Sequence, residues 1–245
     1  MAPAHPTAGH SPLSRSKRSL DLARPEVLAA VGADQIAYYR ARSPWYDDLY
    51  ECKGDYDGGP DQNAEWRSDL ASVENALAAV PLHGACVELG AGTGYWSEQI
   101  VDRVEELWAL DASSEVLEIA RSRLNAHAGK THFQVVDLWR WEPTQAWDAA
   151  VACFFLEHVP DEVLSSLLAT LHDALQPGAP FFVAEAAASA SEPPEIETRS
   201  IDGRAYDVVE RRRSPLEFEA ALEAAGFTVV DVATERLVHL TAIRD

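Results

Sequence analysis

The segment VELGAGTGYW, residues 87–96, is the feature whose residue types and spacing point most directly to chemistry. An apolar stretch runs into Gly90, Gly92 and Gly94, and a helical pattern follows. Glycines at such a turn let the backbone approach a ligand closely, and the free amides at the helix start face that ligand. The spacing is G-x-G-x-G rather than the G-x-G-x-x-G of dinucleotide sites, and Glu88 stands two residues before the first glycine. A carboxylate there opposes a pyrophosphate and favours an ammonium or sulfonium ligand.

Two further acidic residues follow apolar runs that predict strands. Asp111 comes directly after LWAL, and Asp137 comes directly after THFQVV. Asp111 is placed to accept from both hydroxyls of a ribose, a role that dinucleotide sites share, and Asp137 is placed to accept from an adenine amino group, with Leu138 or Trp139 near the base. Three successive strands that each end in a carboxylate predict one nucleoside site at a single sheet edge. The alternative is that Asp111 and Asp137 only cap helices or solvate loops.

The apolar pattern alternates between strands and helices in the second half of the chain. We predict strands at 85–89, 107–110, 131–136, 147–154 and 180–186, and helices at 93–104, 114–124 and 161–175. This order predicts a parallel sheet with right-handed crossovers. After a helix at 215–225, two strands follow without a helix between them, so they should pair as an antiparallel hairpin. The predicted fold is a doubly wound, Rossmann-like α/β fold with a seven-stranded sheet whose last strand is reversed.

The remaining segments predict a tail and a cover over the site. Residues 1–22 are expected to be a disordered tail, 23–83 an N-terminal helical lid region, and 84–245 the α/β domain. The acidic segment ASASEPPEIET is expected to be a flexible connection. The strand predicted at 204–213 lies outside the alternating core and could form part of the cover.

Composition limits the classes of partner. Of 245 residues, 20 are Lys or Arg and 40 are Asp or Glu, a formal net charge of -20. Such a charge repels nucleic acid and anionic membrane surfaces, so we expect neither as a partner. Three widely spaced cysteines indicate neither a disulfide framework nor a metal site, and we find neither a membrane span nor a secretory signal. A cytoplasmic protein is expected.

The glycine loop and strand-end acids resemble those of the class I S-adenosylmethionine (SAM) dependent methyltransferase family. The resemblance covers residues 84–244, and the terminal hairpin resembles the reversed seventh strand of that family. It implies SAM as cofactor, with the glycine loop at its methionine portion, Asp111 at the ribose and Asp137 at the adenine amine. The expected cofactor-binding residues are Tyr38, Tyr46, Glu88, Gly90, Ala91, Gly92, Gly94, Trp96, Asp111, Ala112, Asp137, Leu138, Cys153 and Phe154.

Three further segments, YYRARSPWYD, LEHVPDE and DGRAYDVVERRRSP, resemble small bacterial methyltransferases of natural-product pathways, including a phosphonate O-methyltransferase. This implies a helical lid whose tyrosines contact the cofactor and a small-molecule methyl acceptor. The resemblance to the phosphonate enzyme implies a basic residue at a position where this chain carries Glu210. This difference argues against a phosphonate, but carboxylate, hydroxyl and phosphonate oxygens all stay open as acceptors.

Methyl transfer from a sulfonium depends mostly on positioning, and a base helps only when the acceptor carries a proton. His158 follows the fourth predicted strand of the core and is the candidate base, although it could instead cap the next helix. Tyr39, Arg211 and Arg213 are candidates for substrate binding, since two arginines on one strand face could clamp an anion. The alternative is a solvated strand edge. Oxygen is the expected acceptor atom, with nitrogen next.

Other functions stay open at this point. A dinucleotide-dependent oxidoreductase is opposed by the glycine spacing and by Asp137, whereas a catalytically silent SAM-fold subunit and an aminopropyl transferase are not excluded by the residues. A homodimer is possible.

Overall fold

The computed structural model describes residues 15–186, 188, 195–234 and 237–245. Its helices are α1 (Pro25–Arg42), α2 (Asp48–Glu51), α3 (Pro60–Ala79), α4 (Tyr95–Ile100), α5 (Ser114–Arg123), α6 (Asp161–Ala174) and α7 (Pro215–Ala224). Its strands are β1 (Arg15–Arg18), β2 (Ala85–Leu89), β3 (Glu106–Asp111), β4 (Thr131–Val135), β5 (Ala149–Cys153), β6 (Pro180–Ala186), β7 (Glu195–Ile201), β8 (Arg204–Glu210), β9 (Phe227–Thr234) and β10 (Leu237–Arg244).

Seven of these strands form one sheet in the order β4-β3-β2-β5-β6-β10-β9. The strands from β4 to β6 are parallel to one another, whereas β10 runs antiparallel to both β6 and β9. The connection from β9 to β10 is too short for a crossover helix, so β10 has to run back along the sheet. The predicted doubly wound α/β fold with a reversed last strand is confirmed.

Both faces of this sheet are buried, because successive side chains of a strand point to opposite faces. In β5, Ala149 and Val151 pack with the residues of α3 and α4, whereas Ala150 and Ala152 pack with those of α6. A strand covered on both faces needs apolar residues at every position, which is why the core strands read as continuous apolar runs. Helix α3, which falls in the predicted lid region, thus belongs to the core.

The order of the strands opens a crevice at the end of β2. The chain adds β3 and β4 on one side of β2, and β5 and β6 on the other. The connections that leave β2 and β5 therefore diverge to opposite faces of the sheet, and ligands of open α/β sheets bind at such a switch point. The glycine-rich segment begins where β2 ends.

A second sheet, antiparallel and in the order β1-β7-β8, packs against α1. The strand predicted at 204–213 is β8, which ends at Glu210. The flexible connection predicted for ASASEPPEIET was wrong from Glu195 onward, because that part belongs to β7. The strand was not predicted because its residues are mostly polar. The buried Arg199 donates to Glu197 at 2.8 Å and to Glu210 at 2.5 Å, so the charges of these three residues are paired in the structure. Most of the preceding acidic segment lies outside the described residues.

The tail predicted at 1–22 also differs from the structure in part. Arg15–Arg18 form β1, which pairs antiparallel with β7. Arg18 forms an ion pair with Asp207, and opposite charges on neighbouring strands stabilise such pairing by about 0.2–1 kcal/mol. Residues 1–14 lie outside the described part of the chain. Among the described residues, we find no helix with the length and apolar character that crossing a membrane requires.

Candidate functional site

The glycine loop turns the chain from β2 into α4. Gly90 and Gly92 adopt φ angles of 71° and 54°, in the left-handed region that favours glycine. A Cβ added at Gly90 would lie 2.7 Å from the ring of Phe155, and one added at Gly92 would lie 3.1 Å from the ring of Tyr46. The loop is therefore held closely between two aromatic rings, and its backbone rather than its side chains faces the crevice.

An open cavity lies beside this loop, at the carboxyl ends of β2, β3, β4 and β5. Its walls come from α1, from the glycine loop, and from the turns after β3, β4 and β5. The lining residues are Gly32, Gln35, Ile36, Tyr39, Tyr46, Gly90, Asp111, Ala112, Ser113, Val116, Asp137, Leu138, Trp139, Phe154, Phe155 and His158. The structure thus brings together ten residues that the sequence predicted: Tyr39, Tyr46, Gly90, Asp111, Ala112, Asp137, Leu138, Phe154 and His158, together with Trp139.

Asp111 ties the end of β3 to the glycine loop. Its Oδ2 accepts from the backbone amide of Gly92 at 3.0 Å, and its Oδ1 accepts from the amide of Ser113 at 2.9 Å. Burial raises the pKa of this carboxyl, while these backbone donors oppose the rise. Each oxygen keeps one lone pair for a further donor. Two adjacent ligand hydroxyls fit that arrangement.

Asp137 caps the turn after β4. Its Oδ1 accepts from the amide of Trp139 at 3.0 Å, so the capping role that the sequence left open is present. The side chain is exposed at the cavity wall, and its second oxygen remains available to a donor. Leu138 and Trp139 supply apolar surface beside it. This combination fits a flat ring that carries an amino group.

Glu88 lies beneath the glycine loop. It is 2% exposed, and the hydroxyl of Ser97 donates to it at 2.5 Å. Burial raises the pKa of Glu88 to about 8, with smaller contributions that include repulsion from Asp111. Within the described residues Glu88 does not line the cavity, but Gly90 beyond it does. A buried carboxyl in this position fits a cationic ligand group near the loop.

Besides Glu88, six predicted cofactor residues lie outside the cavity lining: Tyr38, Ala91, Gly92, Gly94, Trp96 and Cys153. Trp96 and Cys153 pack in the core beneath the loop, and burial raises the pKa of the Cys153 thiol well above its usual range. Tyr38 is fully buried against Tyr206, on the side of α1 that faces β8. Tyr38 and Tyr39 are adjacent on α1, and only the packing of this helix decides that Tyr39 faces the cavity.

Helix α1, part of the predicted helical lid, supplies a wall of the cavity, and sequence reasoning named only Tyr39 of its lining residues. Gly32, Gln35, Ile36 and Tyr39 follow the i, i+3, i+4, i+7 spacing of one helix face. Gln35 also spans two chain segments, since its amide donates to the carbonyl of His158 at 3.0 Å and its Oε1 accepts from the amide of Val209 at 3.0 Å. The spacing was visible in the sequence. A helix face that combines glycine and glutamine with apolar residues, however, does not by itself predict a binding site.

His158 lies in the turn after β5, and its tautomer follows from its partners. Nδ1 lies 2.9 Å from the carbonyl oxygen of Val209, which can only accept, so Nδ1 carries the proton. Nε2 therefore holds a lone pair and lies 2.6 Å from the hydroxyl oxygen of Tyr39, which donates to it. Burial lowers the pKa of His158 to about 4. At neutral pH this group is an uncharged imidazole with its basic nitrogen at the cavity end.

The structure does not bring Arg211 and Arg213, the predicted anion clamp, to the cavity wall. The strand ends at Glu210, and both guanidinium groups turn to Asp161 at the start of α6, with distances of 3.1 Å and 2.7 Å. Arg211 also donates to Glu217 at 2.8 Å. These ion pairs neutralise the two charges, and among the described residues neither arginine lines the cavity. Their role here is to fix chain segments.

Asp47 connects the segment after α1 to the glycine loop. Its carboxylate accepts from Arg123 of α5 at 2.5 Å and also from the hydroxyl of Thr93. Tyr46, the neighbour of Asp47, is thereby held over Gly92. Sequence reasoning missed this contact because the three residues are far apart along the chain.

Comparisons with known proteins agree with this geometry. Residues 86–178 match a family described as a methyltransferase domain. A solved structure titled DhpI-SAH complex is 26% identical, with a TM-score of 0.72 over 87% of this chain and 97% of that one. A second structure, titled DhpI-SAM-HEP complex, is 25% identical, with a TM-score of 0.73 over the same shares. No curated protein matches significantly.

A more distant structure has the same fold. The 1,6-didemethyltoxoflavin-N1-methyltransferase of Burkholderia thailandensis is 18% identical, with a TM-score of 0.65 over 100% of this chain and 99% of that one. The switch-point cavity, the glycine loop and the reversed last strand define a nucleoside-binding α/β protein of the class I type. Together with the matches above, they identify the chain as a class I SAM-dependent methyltransferase.

Cofactor affinity is expected to rise with pH. Below a pKa of about 8, Glu88 is a neutral acid in the free protein, and above it the carboxylate attracts the cofactor's ammonium group. We expect the affinity for S-adenosylhomocysteine (SAH) to increase about three- to tenfold between about pH 6.5 and 8.5, measured by calorimetry. The isosteric variant Glu88→Gln should show a flat profile. An unchanged slope in that variant would contradict the assignment.

Loss of Asp111 is expected to weaken cofactor binding. Asp111→Ala removes two acceptor oxygens at the cavity wall, so SAH affinity should fall by roughly 1–3 kcal/mol. Asp102→Ala is a control, because its side chain is 79% exposed and lies outside the cavity lining. Equal affinities for both variants would place the ribose elsewhere.

Proposed function

We propose that this enzyme methylates an oxygen atom of a small molecule and that His158 accepts the proton of that oxygen. The supporting observation is the uncharged imidazole at the end of the cavity, with its Nδ1 proton committed to Val209 and its Nε2 facing Tyr39. An acceptor that arrives as an anion needs no such group. A hydroxyl acceptor does, because its proton must leave as the new bond forms.

The cofactor-binding roles form part of the same proposal. Asp111 and Asp137 would accept from the ribose and adenine groups, the backbone of the glycine loop would hold the methionine portion, and Glu88 would favour its ammonium group. When bound, SAM supplies an electrophilic methyl group on a sulfonium.

 The rings of Tyr46, Phe154 and Phe155 line this part of the cavity and limit the access of water to it.

The proton has a defined route from the acceptor to the protein. An acceptor hydroxyl that replaces Tyr39 as the donor to Nε2 can pass its proton directly to His158. An acceptor that donates to the Tyr39 oxygen can pass it through that hydroxyl, because Tyr39 already donates to Nε2 at 2.6 Å. In both cases the acceptor oxygen would gain the methyl group as it loses its proton, SAH would be the leaving group, and His158 would end as an imidazolium whose Nδ1 donates to Val209.

Nitrogen is the second candidate acceptor atom, and the acids near His158 favour it. Glu157 Oε1 lies 3.5 Å from His158 Nε2, and Glu157 Oε2 is buried without a hydrogen-bond partner among the described residues. Burial, together with repulsion from Glu210, raises the pKa of Glu157 well above its usual range. A neutral carboxylic acid or its carboxylate could orient an amine. The 1,6-didemethyltoxoflavin enzyme of similar fold is named as an N1-methyltransferase.

Isotopic labelling separates these acceptor classes. The purified protein would be incubated with SAM carrying a carbon-13 methyl group and with pools of small hydroxyl, phenol, carboxyl and amine compounds. We expect a methyl resonance typical of an ether or ester, with a matching release of SAH. A resonance typical of an N-methyl group would replace the oxygen proposal by the nitrogen one. Binding of SAH without transfer to any pool would indicate the silent subunit instead.

The proposal also covers the setting of the enzyme. We infer a cytoplasmic enzyme that acts on small molecules of secondary metabolism, without nucleic acid as a partner, and possible assembly as a homodimer. The net charge of -20 supports the exclusion of polyanions, and the three cysteines, all buried as free thiols, support a reducing compartment. Light scattering of the purified protein would test the homodimer.

A further inference from the structure

Gln35, in the middle of α1, forms a closed ring of hydrogen bonds with His158 and Val209. Its side chain donates to the carbonyl of His158 and accepts from the backbone amide of Val209, each at 3.0 Å. The imidazole of His158 closes the ring, because its Nδ1 donates to the carbonyl of Val209 at 2.9 Å. Three segments that are far apart along the chain, α1, β8 and the turn after β5, therefore meet at the candidate base.

These partners fix the orientation of the Gln35 amide. The carbonyl of His158 can only accept a hydrogen bond and the backbone amide of Val209 can only donate one, so the nitrogen of Gln35 faces His158 and its oxygen faces Val209. Gln35 is buried, so water offers little replacement for either bond. A side chain at this position needs both a donor and an acceptor to make the two bonds.

His158 depends on this arrangement because a neutral imidazole can carry its proton on either ring nitrogen. Only the form that is protonated at Nδ1 leaves the lone pair on Nε2, at the cavity end. The carbonyl of Val209 selects that form as long as it stays within hydrogen-bond distance of Nδ1. Gln35 contacts the backbone of both residues and thereby fixes the distance between them.

Both ring nitrogens of His158 have their partners on α1 or β8. Nδ1 donates to Val209 of β8, and Nε2 accepts from the hydroxyl of Tyr39, which lies one helical turn after Gln35 on α1. His158 itself belongs to the turn after β5 of the large sheet. The form of the base therefore depends on how α1 and β8 pack onto that turn.

We propose that Gln35 is a positioning residue for methyl transfer: it holds Val209 against His158, so that the imidazole keeps its proton on Nδ1 and presents the Nε2 lone pair to the acceptor. The inference rests on the proposed function of His158 as the base. It makes the packing of α1 and β8 onto the turn after β5 a condition for proton transfer, because both tautomers of His158 are populated when Gln35 does not hold the turn.

Nitrogen-15 NMR of the SAH-bound protein, labelled at its histidines, reports the tautomer directly, because protonated and unprotonated ring nitrogens resonate far apart. The signals of His158 are those that the His158→Ala protein lacks. We expect a protonated Nδ1 and an unprotonated Nε2 in the wild type. In Gln35→Met, which keeps the length of the side chain but loses the amide, both signals should move toward the average of the two tautomers. An unchanged tautomer in this variant would overturn the proposal.

Rate and affinity should respond differently in Gln35→Met. With carbon-13-labelled SAM and the pools of hydroxyl and phenol compounds, the rate of transfer should fall by about tenfold or more, because a misplaced base loses its contribution to the barrier. The affinity for SAH should stay within about threefold of the wild type in calorimetry, because the acids that face the cofactor are untouched. Equal losses of rate and affinity would mark Gln35 as a residue of the binding site and overturn the positioning role.

The His158→Ala background shows whether Gln35 acts through His158. There, Gln35→Met should change the remaining rate by less than about twofold, since two residues that act as one unit are not additive. A further loss of about tenfold in that background would show that Gln35 acts independently of His158, against the proposal.

Asp34→Ala is the matched control on the same helix. Asp34 precedes Gln35, and its carboxylate accepts from the backbone amide of Asp207 at 3.4 Å, so it also joins α1 to β8. This variant should keep the rate and the His158 tautomer of the wild type. Losses equal to those of Gln35→Met would reduce Gln35 to a general contact between the helix and the strand, and the proposal would fail.

Gln35→Asn decides the matter if Gln35→Met does not fold. It keeps the amide on a side chain that is one carbon shorter and cannot reach both partners, so a mixed tautomer and a lower rate are expected. Wild-type values for both would reject the proposal. The proposed function is tested separately: a full rate in His158→Ala would reject His158 as the base, whereas a slow His158→Ala with an unaltered Gln35→Met would reject the role of Gln35 alone.

Discussion

Replacement of His158 with alanine is expected to slow methyl transfer by about 10²- to 10⁴-fold while SAH affinity stays within a few fold. The loss follows from the removal of Nε2, which is the basic nitrogen at the cavity end because Nδ1 donates to Val209. The backbone turn should persist, because the amide of Gln35 holds the carbonyl of residue 158 rather than its ring. Single-turnover kinetics with saturating cofactor would measure the effect.

Two further measurements distinguish a base from a structural residue. Added imidazole should restore part of the rate to His158→Ala, because the deleted side chain leaves room beside Tyr39. The acid limb of the wild-type rate profile should show no contribution from His158 above about pH 5, because burial holds its pKa at about 4 and the neutral form is the active one. His132→Ala is a control, since that side chain is 41% exposed and lies outside the cavity lining. A full rate in His158→Ala would rule out the base.

Replacement of Arg213 with alanine is expected to lower the free energy of unfolding by about 2–4 kcal/mol, because a buried guanidinium with three hydrogen-bond partners is lost and a buried acceptor left without its donor costs about 1–3 kcal/mol. Arg213 is 2% exposed, and its guanidinium donates to the carbonyl oxygens of Leu156 and Val159, each at 2.8 Å. It also donates to Asp161 at 2.7 Å. The variant removes the donor to the buried Val159 carbonyl and one partner of the Asp161 carboxylate, whereas the Leu156 carbonyl keeps the amide of Val159 as a donor.

Urea unfolding followed by circular dichroism would measure this loss. Arg212→Ala is the matched control in the same triplet, because its side chain is 45% exposed and its ion pair with Glu210 should contribute about 0–1 kcal/mol. The carbonyls that Arg213 binds flank His158, so surviving Arg213→Ala protein should also have a lower rate of methyl transfer. A similar stability for the two variants would contradict the structural role of Arg213.

The sequence by itself determined the sheet and the cofactor end of the site. Gly90, Gly92 and the strand before them are contiguous, so local preferences for a strand, a tight turn and a helix act together there. Asp111 is the last residue of β3. The carboxyl ends of parallel strands lie at one edge of the sheet, so the sequence alone places Asp111 at that edge. The reversed β10 followed from the missing helix between two apolar runs.

Sequence reasoning failed where polar residues satisfy one another across long separations. The sequence of β7 predicted an acidic loop, but in the structure Arg199 of β7 pairs with Glu210 of β8. The sequence predicted that Arg211 binds an anionic ligand, but in the structure it pairs with Asp161 of α6. Charge pairs between distant residues produce no periodic pattern in the sequence. They can be identified only from the packing of the strands and helices that carry them.

Only the tertiary structure decided the acceptor end of the site. The tautomer of His158 depends on the carbonyl of Val209, which is 51 residues away along the chain. The hydrogen bond from the Val209 amide to the Gln35 side chain joins residues that are 174 positions apart. The rotation of α1 against β8 turns Tyr39 toward the cavity and leaves Arg42 buried among tyrosine rings. Helix spacing defines which residues of α1 share a face. Which face is buried depends on the element that packs against the helix. That element is β8, and its contacts with α1 are not encoded in the local sequence.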